Sequence, residues 1–145
     1  MIHTTNIFFI SAISMLGLIG FFLASYIHRK KKSKKKLICP MHSNCDTVIH
    51  SDYSTIVGIP VEGLGMAYYA FIAVIYGTLF LFNLLSAPVV LVLVGISLCS
   101  VLFSLYLVSL QAFVLHHFCI WCTSSACTSI LIFVLSYIYY THFFL

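Results

Sequence analysis

Four stretches of this chain, Ile7 to Ile27, Gly65 to Leu85, Val89 to Gln111 and Trp121 to Tyr140, are apolar over close to the ~20 residues that an α-helix needs to cross a bilayer. Hydrocarbon offers no partner to a backbone N–H or C=O group. Each stretch must therefore close its own hydrogen bonds as a helix, and the helices must group into a bundle. Composition agrees, with a mean hydropathy of +1.12 and only seven Lys and Arg and three Asp and Glu among 145 residues. The expected fold is all-α: one integral-membrane domain over residues 1–145, a four-helix bundle. The first stretch reads as a span rather than a secretory signal, since no basic segment precedes it and no small-residue cleavage site follows. With no second soluble domain expected after the last span, a soluble redox partner would have to be a separate protein.

Polar residues concentrate after the first span. Arg29 to Lys36 holds all seven Lys and Arg residues, and reads as a solvated, lipid-anchoring run rather than a nucleic-acid site. Residues 37–64 follow as a polar loop with Cys39, Cys45, all three acidic residues and the turn signal Gly58-Ile59-Pro60. Within it, Thr47 to Tyr53 mixes apolar and polar residues as a short interfacial helix would, lying on the bundle as a lid. Asn83 to Pro88 is so short a link that the second and third spans are expected to be antiparallel neighbours.

Parity decides where the cysteines meet. Whichever face the chain reaches after the first span, it regains after the third, so the Cys39/Cys45 loop and the Cys119-Ile-Trp-Cys122 segment share one face. Cys119 stands where the fourth helix begins, near the positive end of its dipole and beside His116 and His117, a setting that favours the thiolate. Residues at i and i+3 are helical neighbours, and a small adjustment brings two such sulfurs to bonding distance. Two cysteine pairs on one face, one in a loop and one at a helix start, suit a relay of thiol–disulfide exchanges. Cys99 and Cys127 read as small packing residues in the third and fourth spans. The aromatic residues, Tyr137, Tyr139 and Tyr140 among them, read mainly as lipid contact and interfacial belt. Two other readings stay open: a structural zinc site made by the four cysteines with His42, His50, His116 and His117, and a purely structural pair of disulfides.

These motifs together, Cys45-Asp-Thr-Val-Ile-His-Ser51-Asp-Tyr-Ser54, Gly58-Ile-Pro60, Gly65 with Tyr69 four residues on, and Cys119-Ile-Trp-Cys122, resemble the vitamin K epoxide reductase family in its bacterial single-domain form, without a fused thioredoxin domain. The resemblance covers all four spans. It implies a bundle that holds a quinone, ubiquinone or menaquinone, near the CxxC motif beneath the loop helix. It further implies that Cys39 meets a separate thioredoxin-fold partner, Cys45 shuttles onto Cys119, Cys122 faces the quinone, and Ser51 is a polar group near the active disulfide. The animal enzymes carry a Tyr four residues after the second CxxC cysteine and an Asn four before the Gly of the second span. Here those positions are Ala126 and Val61, which favours simple quinone reduction over the epoxide.

The expected function is thus a membrane thiol–disulfide oxidoreductase that supports disulfide formation. The alternatives are a quinone or quinone-epoxide reductase reset by thiols, and a zinc-stabilised membrane scaffold. Two arguments about orientation conflict. The positive-inside rule would put the loop in the cytoplasm, whereas disulfide formation belongs in an oxidising compartment. The second argument, together with the family's habit, places the active site on the periplasmic face of a bacterial inner membrane.

Overall fold

The computed structural model describes residues 2–35, 38–39 and 45–145. Lys36 at the end of the basic run, Leu37 at the start of the loop and residues 40–44, His42 among them, lie outside the described residues. In chain order the helices are α1 (Ile2–Lys32), the short α2 (Cys45–Ile49), α3 (Val61–Leu81), α4 (Ala87–Phe113) and α5 (Ile120–Phe144). Among the described residues, α1, α3, α4 and α5 are the four long and apolar enough to span a membrane. The protein is an all-α membrane bundle.

Helix ends follow local chemistry. The second span begins at Val61 and stops at Leu81, earlier at both ends than its apolar stretch. Pro60, which has no N–H to contribute, sits at the cap of α3, and Glu62 in the first turn complements the helix dipole. At the other end Asn83 adopts a left-handed φ of +51°, which stops the helix. Ser86 caps α4, with Pro88 in its first turn, where the missing N–H costs nothing.

α1 packs along α3 and α5, and α4 packs along α5. The expectation that the second and third spans are close neighbours is corrected here. They are joined by a tight turn, but α3 and α4 make few contacts beyond it. The space between them becomes a cavity, described below.

Lipid gives no hydrophobic drive to helix association, so contact must come from close approach and from hydrogen bonds. Both are present. The Tyr69 hydroxyl on α3 donates to the Ser125 carbonyl on α5 and lies 2.9 Å from the Ser125 hydroxyl. Tyr76 donates to Ser136 at 2.9 Å, and Ser100 on α4 meets Ser129 on α5 at 2.8 Å. Close approach occurs where Gly17 and Gly20 of α1 face α3. A Cβ at Gly17 would lie 3.1 Å from Ala73, and one at Gly20 would overlap the Tyr69 ring. Tyr69 is buried and tethered to Ser125, so it cannot swing away. Gly20→Ala is therefore expected to cost about 1–3 kcal/mol by overpacking. Thermal unfolding in detergent should show a lowered midpoint for this variant. Gly95→Ala, with nothing within 4 Å of the added Cβ, should leave the midpoint unchanged or slightly raised.

Outward faces are apolar, as in Phe22 at 69 % exposure. Two readings from sequence are corrected. Tyr139 is in the core at 4 % exposure, against Phe9 and Phe143, and is not a lipid contact. Cys99 and Cys127 face outward rather than packing between helices.

Candidate functional site

Residues 45–60 lie over one end of the bundle. Cys45, Val48 and Ile49 of α2 are buried. The interfacial helix expected over Thr47 to Tyr53 is shorter and starts earlier. The Ser51 hydroxyl donates to the Val48 carbonyl at 2.7 Å, a local bond that competes with helix continuation. A 3₁₀ turn at Asp52–Ser54 and a hairpin of β1 (Thr55–Ile56) and β2 (Ile59–Pro60) complete the lid. Val57 and Gly58 at its tip both have positive φ, as a two-residue hairpin loop requires.

Cys39 and Cys45 form a disulfide across a Cα–Cα distance of 6.3 Å. Cys119 and Cys122 are free thiols, the first buried and the second half-buried. All four belong to one apolar cluster with Ile27, Val48, Ile49 and Trp121. Trp121 ties the two segments together. Its indole N–H donates to the Ile38 carbonyl at 3.2 Å, and its ring packs at a tilt of 41° against Tyr26 of α1, 4.8 Å between centroids.

Cys119 is the N-cap residue of α5, and its sulfur accepts from the Cys122 backbone N–H at 3.4 Å. The Cys122 thiol hydrogen-bonds the Cys119 sulfur and holds the Cys119 thiol below the ordinary cysteine range. Burial opposes this, and the backbone N–H groups of Cys122 and Trp121 reinforce it. The favourable setting thus comes from Cys122 and the helix start, while His116 faces solvent. Sequence reasoning missed Gln111. Its buried side-chain carbonyl accepts the Cys119 backbone N–H at 3.1 Å, tying the end of α4 to the start of α5. An amide eight residues from the cysteine on another helix gives no signal in a linear pattern. Gln111→Leu leaves that buried N–H without a partner, an expected cost of about 1–3 kcal/mol. Faster alkylation of Cys119, together with a lowered unfolding midpoint, is the measurement that checks it.

Between α3 and α4, under the lid, lies a mainly apolar cavity of roughly 360 Å³, within the size range of small-molecule sites. Cys122 lines it, as do Ser51 and Tyr53 of the lid, and Tyr68, Tyr69 and Gln111 supply polar groups. Val61 and Ala126, where the animal enzymes carry Asn and Tyr, both line it too. Ser51 is therefore at the cavity wall, with its hydroxyl committed to Val48. Glu62, also in the wall, is a second residue that the sequence reading left without a role. Among the described residues no three His, Cys, Asp or Glu side chains gather to hold a metal ion; His42 lies outside them.

No curated protein sequence matches the chain. The model of the vitamin K epoxide reductase family matches residues 9–137. That match begins in the first span, ends in the fourth, and takes in both cysteine pairs, the lid and every side of the cavity. The protein is therefore an integral-membrane oxidoreductase that belongs to the vitamin K epoxide reductase family.

Proposed function

We propose that the protein relays electrons from a separate thioredoxin-fold protein to a quinone, and so sustains disulfide formation in other proteins. Electrons enter when a partner thiolate attacks the Cys39–Cys45 disulfide at Cys39. The freed Cys45 thiolate then attacks a Cys119–Cys122 disulfide at Cys119, and resolution returns the loop disulfide with a reduced CxxC pair. That dithiol gives two electrons to the quinone and closes its own disulfide. The observation that carries this reading is the clustering of Cys45 with Cys119 while Cys122 opens on the cavity. The oxidised loop pair beside a reduced CxxC pair is the state that precedes quinone reduction. The apolar cavity suits a quinone ring, with polar groups for its carbonyl oxygens.

Purified protein given a dithiol and a short-chain ubiquinone or menaquinone should form quinol catalytically. A chelator should not change that rate, because cysteines engaged in exchange cannot serve as closed-shell zinc ligands. Stoichiometric zinc in protein without quinone turnover would instead favour the scaffold.

The reading places the cysteines on the periplasmic face of a bacterial inner membrane. The basic run argues less strongly against this than its charge suggests. Lys31 turns inward to Ser54 and Glu62, and Lys30 lies over the Tyr26 ring at 5.6 Å. An impermeant thiol reagent on intact cells should label reduced Cys39 or Cys45, and labelling only after lysis would reverse the orientation.

A further inference from the structure

A quinone needs two electrons and two protons to become a quinol. If the CxxC pair reacts as a thiolate at Cys119 and a thiol at Cys122, closing the disulfide releases two electrons and only one proton. The second proton must come from elsewhere in the wall.

Glu62 is the only carboxylate in that wall among the described residues, and no basic side chain lines it. The other titratable groups there are Cys122, Tyr53, Tyr68 and Tyr69. The Glu62 side chain is 7 % exposed, and its Oε1 lies 3.6 Å from His28 Nδ1 and 3.2 Å from Lys31 Nζ, both on α1. His28 Nδ1 is buried with no hydrogen-bond partner, and it faces Glu62 Oε1, which the Lys31 ammonium pairs from the other side. The His28 side chain is 35 % exposed, so its ring reaches from the buried carboxylate to solvent. Lys31 also donates to Ser54 of the lid, which fixes the carboxylate between helix and lid. A structural ion pair needs only Lys31. The inward histidine nitrogen adds a conducting side to it.

We infer that the second proton reaches the quinone oxygen from solvent through His28 and then the Glu62 carboxylate. The inference rests on the relay reading. Per turnover one S–S bond forms between Cys119 and Cys122, the Cys122 S–H breaks, one solvent proton passes through His28 and the Glu62 carboxylate, and two O–H bonds form on the quinol.

The test uses full-length protein with Cys119 and Cys122 pre-reduced, mixed anaerobically with a short-chain ubiquinone, and follows quinol formation in a single turnover. Glu62→Gln should slow this step about 100-fold, the lower range for a positioned general acid, and added acetate should restore much of the rate. Reduction of the Cys119–Cys122 disulfide by dithiothreitol, which needs no quinone, should proceed at the wild-type rate. His28→Gln leaves the Glu62–Lys31 pair in place and should slow quinol formation about tenfold, in keeping with a longer proton path. Glu62→Gln at the wild-type rate, or slowed equally in both reactions and deaf to acetate, overturns the proton role. A wild type that exchanges disulfides but never reduces quinone overturns the relay reading itself.

Discussion

Cys119→Ala and Cys122→Ala should each reduce dithiol-driven quinone reduction to background, a loss of about a thousandfold or more, as for residues that act as one unit. In the proposed relay, each removes a sulfur through which both electrons pass. The cost in stability should be limited to about 1 kcal/mol for the cap bond lost in Cys119→Ala, because the α5 start keeps its Gln111 anchor and Trp121 keeps its bond to the loop. Unfolding midpoints close to wild type would therefore accompany the lost activity, and would separate a chemical defect from a folded-state one. Cys99→Ala and Cys127→Ala, whose side chains face outward, should keep most of the rate. Full turnover in either CxxC variant would end the relay.

The loop pair should behave differently. Cys39→Ala and Cys45→Ala are expected to lose oxidation of a thioredoxin-fold partner by about a hundredfold or more, while a small dithiol still drives quinone reduction. Cys122 is half-buried and Cys119 buried, so a small reagent is expected to react where a folded protein does not fit. Parallel assays with dithiothreitol and with a reduced thioredoxin-fold protein would read the split directly. Cys122→Ser offers a trap, since Cys119 can then hold a bond to Cys45 that nothing resolves. A non-reducing peptide map would find that link. Normal partner oxidation by Cys39→Ala would remove the shuttle.

Spans, cysteine pairing by face and the lid could be read from the chain because each depends on local pattern or on counting crossings. Four apolar runs gave four helices, and parity brought Cys45 and Cys119 to one end. What escaped depends on how helices cross. The tight turn at Asn83 suggested that α3 lies along α4, yet Gly17 and Gly20 draw α3 onto α1 and leave α4 to α5. Tyr139 and Tyr76 look like any membrane tyrosine until the crossing buries them. Gln111 and Glu62 are single polar residues in apolar or turn-rich surroundings, and their partners stand on other elements. The α2 boundary shifted because one serine hydroxyl, Ser51, bonds back to the turn it follows.

Ser125 lies three residues after Cys122, one turn deeper in α5, and is held by Tyr69, which in turn fills the space that Gly20 leaves open. The angular position of the Cys122 thiol is thus inherited from a clamp one turn away from it. Gly20, Tyr69 and Ser125 form one packing unit: a change at any of them shifts the turn of α5 that follows Cys122.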